Sequence, residues 1–163
     1  MDKVIRHRIA DYLNTGTASA EEYSLMGTGF TSLSESPSAK VDKTAYIHNK
    51  SASGSIVGYE NVFPFNSDLI NDDAAVMALY DVGRNQKTGA DAEFDYVRVD
   101  LYKTATTGAY PARKFRVAVE ITEVSGEAIE TVKVSGNLHQ VGDFIEGTFN
   151  PTTKAFTATS DAE

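Results

Sequence analysis

Apolar and polar residues alternate with a period of two through much of the second half of the chain. From Phe115 to Ile121, the odd positions are Phe115, Val117, Val119 and Ile121, and the even ones are Arg116, Ala118 and Glu120. Strict alternation marks a strand with one packed face and one wet face. Val97, Val99 and Leu101 repeat the pattern, with Arg98 and Asp100 predicted on the wet side. Val132 and Val134 begin another such run, Phe144 to Phe149 is a further candidate, and Phe156 suggests a short last strand. Turn residues separate the runs: Thr107-Gly108, Ser125-Gly126, Gly142-Asp143 and Asn150-Pro151. Short strands at regular spacing predict an antiparallel sandwich or barrel.

One stretch has a different period. In NDDAAVMALYDVG, residues Val76, Leu79 and Tyr80 share a helical face, which predicts a helix over about residues 71–82. Asn71 or Asp72 is expected to cap it, Asp72 and Asp73 suit its positive end, and Gly83 suits the left-handed position after it. A single helix flanking a β body makes the fold mainly β, of the α+β kind. The N-terminal stretch fits two readings. Val4, Ile5, Arg8, Ile9, Tyr12 and Leu13 match a helical stripe, while Tyr12-Leu13-Asn14 and Tyr23-Ser24-Leu25-Met26 match a hairpin.

Two segments carry neither period. Thr28 to Lys43 is rich in Ser, Thr, Gly and Pro and reads as loop. In YIHNKSASGSIVGYENVFPF, apolar and aromatic residues flank a polar centre from Asn49 to Ser55, so a long hairpin loop is expected between strands around Thr44–His48 and Ile56–Glu60. Ordering such extensions costs conformational entropy, which a lone monomer recovers poorly. They make sense where a neighbouring subunit orders them.

With 163 residues, 41% of them hydrophobic, the chain is expected to form one domain with a real core, residues 1–163, with an extended N-terminal arm, a loop and hairpin region over 28–62, and a short C-terminal tail. The absence of cysteine removes disulfides, thiolate metal sites and thiol catalysis. No apolar run reaches the ~20 residues of a membrane span, and MDKVIRHRIADY lacks the apolar stretch of a signal peptide. The formal net charge of −8 and the lack of a Lys/Arg cluster disfavour nucleic-acid binding.

Candidate chemistry is sparse. His7, His48 and His139 have no metal-ligand spacing. GTGFTS starts like a dinucleotide fingerprint but places Ser32 at the last glycine. DAEFD spaces Asp91, Glu93 and Asp95 like a calcium loop, yet Tyr96 and Tyr102 occupy the positions that need glycine and glutamate. Asn49-Lys50-Ser51 is a glycosylation sequon by pattern alone. No catalytic constellation is present, so no enzyme activity, cofactor or metal is expected.

Three stretches together resemble the major tail tube proteins of long-tailed bacteriophages of Gram-positive bacteria. They are LMGTGFTSLSESPSAKVDKTAYIHNKSASGSIVGYE, then FPFNSDLINDDAAVMALYDVGRNQKTGADAEFDYVRVDLY, then SGNLHQVGDFIEGTF, within residues 8 to 158. The first is the most specific; the closing glycine-containing strands recur in unrelated β proteins. The resemblance implies a β-sandwich or barrel with a flanking helix, six copies to a ring, and rings stacked into a hollow tube that conducts DNA out of the capsid. It implies tape-measure, tail initiator and tail terminator proteins as partners, with DNA passing unbound, no membrane, and assembly in the host cytoplasm into the virion. It also makes Asn49, Lys50, Ser51, Ala52, Ser53, Gly54 and Ser55 the loop that reaches a neighbouring subunit. An acidic lumen wall gains nothing from phosphates, so Glu93, Asp95, Asp100 and Glu120, on polar strand positions, are candidate lumen residues. The tube proteins of contractile tails, phage-like bacteriocins and type VI secretion are an alternative. A carbohydrate-binding sandwich is a weaker one, because tryptophan is absent and the tyrosines are dispersed.

Overall fold

The computed structural model describes residues 1–17 and 19–159. Eleven strands and one helix follow in order: β1 (Ile9–Asn14), β2 (Tyr23–Leu25), β3 (Phe30–Leu33), β4 (Ala39–Thr44), β5 (Ser53–Tyr59), β6 (Val62–Asp68), α1 (Ala74–Arg84), β7 (Glu93–Asp100), β8 (Tyr110–Ser125), β9 (Lys133–Gln140), β10 (Ile145–Asn150) and β11 (Ala155–Ala158). Nine strands form one antiparallel sheet in the order β2-β1-β7-β8-β9-β6-β3, with β10 pairing both β8 and β11. Among the described residues, β4 and β5 pair only with each other.

The alternation from Phe115 to Ile121 determines how the middle of the sheet packs. Phe115 and Val117 are fully buried and Val119 nearly so, whereas Arg116 and Glu120 are exposed. The packed face of β8 meets Phe63 and Phe65 of β6, Tyr96 of β7, Leu138 of β9, and Leu79 and Val82 of α1. Burying a phenylalanine of this kind contributes about 2–3 kcal/mol. The helix approaches β8 closely at Gly83, where a Cβ would lie 2.8 Å from Ile121 Cβ. This close approach explains the glycine, which sits inside α1 and not in a left-handed turn after it. The cap also differs from expectation: Asp73 Oδ1 accepts from the Val76 N–H at 3.1 Å, ahead of Asn71 and Asp72.

β7 departs from a one-sided strand. Val97 and Val99 enter a second core with Tyr12, Tyr23, Ala112 and Phe149. Tyr96, on the other face, enters the first core, and Arg98 is also buried. The expected wet side of β7 is therefore covered. The N-terminal ambiguity resolves as a hairpin, with Tyr12 opposite Leu25, Leu13 opposite Ser24 and Asn14 opposite Tyr23. Only Arg6–Arg8 forms a short 3-10 turn ahead of it. The segment read as loop over Thr28–Lys43 contains β3 and most of β4. β3 is short and half exposed, and β4 is wholly exposed, so neither shows a packed-face pattern.

Candidate assembly surfaces

The β4–β5 hairpin stands off the body as an arm. Every residue of β4 and all but Gly58 of β5 are exposed. The loop of residues 45–52 joins them, so Asn49, Lys50, Ser51 and Ala52 lie at the tip. Ser53, Gly54 and Ser55 belong to β5, opposite Thr44, Lys43 and Asp42. The first strand thus ends at Thr44, earlier than the pattern suggested, and Tyr46 and His48 stack in the tip with ring centroids 6.1 Å apart. Ser53–Ser55 form strand through backbone bonds alone, which no side-chain alternation announces. A register shift between Lys40 and Val41 leaves Val41 opposite Ile56 and Ala39 opposite Tyr59. Those two pairs share a face, and Val41, Ile56 and Tyr59 each remain more than half exposed. An isolated two-stranded hairpin is marginal in water, so an exposed apolar stripe along one points to a missing partner.

The root of the arm is held by charge. Glu35, between β3 and β4, accepts a forked pair of hydrogen bonds from Arg113 at 3.0 and 2.7 Å, and its Oε2 lies 3.5 Å from Arg98 Nε. Arg98 Nη1 is 3.5 Å from Asp11, which also takes a 2.5 Å bond from Arg6 and one from the Tyr96 hydroxyl. Burial works against the Arg98 charge, but Tyr96, Asp11 and Glu35 outweigh it and leave its pKa raised. Burial, reinforced by Asp11, holds the Tyr96 phenol well above its ordinary value. Arg6 also donates to the Ile9 and Leu33 carbonyls, tying β1 to β3. Between the root and the β9–β10 connection opens a cleft of about 1120 Å³, lined by Glu35, Tyr59, Val62, Arg113, His139 and Phe144 among others. These partners lie 78 residues apart in the case of Glu35 and Arg113, and no local pattern signals them.

The four candidate acids divide between the two faces of the sheet. Glu93 and Asp95 of β7 and Glu120 of β8 share the open face, whereas Asp100 lies on the opposite one with Tyr96 and Arg98. Arg116 reaches Glu93 at 3.4 Å and Asp95 at 3.3 Å, and His139 Nε2 lies 2.5 Å from Glu120. Burial raises the Asp100 pKa, with Arg113 and Arg98 pulling against it. Asp68 and Lys133 pair at 2.7 Å on the same open face. The face is therefore weakly acidic, a set of carboxylates partly neutralised by neighbouring cations. Among the described residues no group of His, Cys, Asp and Glu could hold a metal ion, and no helix is long and apolar enough to cross a membrane.

No family model matches the sequence, and no curated protein does. Solved structures do match. The chain superposes on a subunit of the SPP1 tail tube, described by solid-state NMR and cryo-EM, with a TM-score of 0.65 and 17% identity over 88% of this chain and 78% of that one. The fold is that of a phage tail tube. A chain of the anti-feeding prophage baseplate also superposes, with a TM-score of 0.51 and 9% identity over 90% of this chain and 96% of that one. At these identities the likeness is one of fold.

Proposed function

We propose that this chain is the subunit of a phage tail tube, a structural virion protein without enzymatic activity. Copies join as hexameric rings, and rings stack around a lumen through which the genome leaves. The observation that carries the reading is the β4–β5 arm, apolar on one face and without a packing partner among the described residues, on a body with the tail-tube fold. Such an arm contributes binding free energy only when another subunit covers it.

The open face bearing Glu93, Asp95 and Glu120 is the lumen wall in this reading. Its mixed, weakly acidic charge gives phosphates no counterion-release gain, so DNA slides without binding. Asp100 is left off the wall because its side of β7 is occupied by the Arg98 network. A tape-measure protein setting length, and initiator and terminator proteins at the ends, complete the assembly. A second reading, a tube component of a contractile or bacteriocin-like particle, rests on the likeness to the anti-feeding prophage baseplate. Sedimentation and electron microscopy of the purified chain over a concentration series test the proposal, through the appearance of hollow polymers above a threshold.

A further inference from the structure

The arm needs a surface to cover it, and one end of the molecule has matching chemistry. Lys43 and Lys50, on β4 and the tip, make no ion pair among the described residues. The turn joining β8 to β9 carries Glu127 and Glu130, with Glu123 just before it, all exposed and in no close ion pair among the described residues, though Glu130 acts at longer range on Lys133. The end of β6 is tied to this turn, where the Leu69 N–H donates to the Val132 carbonyl at 2.8 Å. The same turn displays apolar surface. Ile129 is fully exposed at its apex with φ +72°, and Val124 and Val132 are about 40% exposed beside it. A β-branched residue in the left-handed region is strained, and no described residue compensates by burying its side chain.

We propose that the arm of one copy docks on the acidic, apolar β8–β9 turn of a second copy. Lysines meet glutamates, and the Val41–Ile56–Tyr59 stripe meets Ile129. This inference rests on the tube reading and names the acceptor that the reading leaves open. The two surfaces lie at opposite ends of β9. The arm's root adjoins its end, where the Gln140 N–H donates to the Asn61 carbonyl at 3.1 Å, and the turn adjoins its start. A copy that has used its arm therefore still offers its turn to the next. Such a head-to-tail contact is heterologous and repeats without saturating, as an open polymer requires. Unlike charges at the contact also steer association and make it sensitive to salt.

Charge reversal on each side, followed by recombination, tests the contact. One variant carries Glu127→Lys and Glu130→Lys, a second carries Lys43→Glu and Lys50→Glu, and a third carries all four. These positions are exposed, so thermal melts should match the parent. The two-site variants are expected to raise the threshold concentration for polymer by about tenfold or more, and the four-site variant to restore it substantially. Ile129→Ser is expected to raise it without changing its salt dependence. Reversed variants that polymerise at the parent's threshold, or a four-site variant no better than its parents, overturn the contact and leave the tube reading standing. A parent chain that forms only finite oligomers, lost on reversal and regained on recombination, supports the contact while removing the tube. A parent that stays monomeric at every concentration, even with tail initiator proteins added, overturns both.

Discussion

Val117 and Arg116 are neighbours with opposite environments. Val117 is wholly buried between β7 and β9 in the first core, so Val117→Asp places an unpaired charge there and is expected to unfold the domain, a loss of about 4 kcal/mol or more. Arg116→Asp removes half-exposed ion pairs to Glu93 and Asp95 and adds like charge, so a loss of about 1 kcal/mol is expected. Circular dichroism melts of the two variants decide the matter, and equal losses would show the face assignment to be wrong. Buried tyrosines give a second residue-scale test. Burial raises the pKa of Tyr12, Tyr23 and Tyr96, with Glu21 and Asp95 adding at Tyr23 and Asp11 at Tyr96. A folded-state pKa above the unfolded value of about 10 means the unfolded chain loses its protons first. The stability these neutral phenols contribute is full below about pH 10 and falls as pH rises above it, by up to about 1.4 kcal/mol per pH unit for each tyrosine. Denaturant titrations from pH 8 to 11 should show a plateau and then a steep decline. Stability that stays level to pH 11 would contradict the burial of these hydroxyls.

At the scale of elements, the arm is separable from the body. Thr44 and Ser53 are paired in register, so replacing residues 45–52 with Asn-Gly closes the hairpin with a two-residue turn. The change in loop-closure entropy is about 1 kcal/mol, and no body residue is touched. The thermal melt is expected to stay near that of the parent while polymer formation is lost. A shortened variant that melts normally and still polymerises would take the tip out of assembly; one that fails to fold would place it in the body. Alternation made β8 and β9 legible because each packs one face. β7 was half legible: Val97 and Val99 show their period, but its other side is covered through Arg98 and its distant partners Asp11 and Glu35. The N-terminal stretch fitted two periods, and only pairing of β1 with β2 and β7 selects between them. The arm's existence could be read from its composition, but its strand ends could not. Neither face of β4 or β5 is buried, so their side chains carry no period. The β8–β9 turn could be read as a turn, but nothing local marked Ile129 as an exposed apex.

For the whole molecule, the sheet sets one open, weakly acidic face apart from the arm and from the turn at the far end of β9. In the proposed reading, one surface lines the lumen and two make contacts between copies, which is the division of labour a tube subunit needs. The measurement that bears most directly on this account is negative-stain electron microscopy of the purified chain over a rising concentration series. The account predicts hollow tubes of uniform width above a threshold, with a stain-filled lumen and an axial repeat. Compact monomers at every concentration, even with tail initiator proteins added, would contradict it.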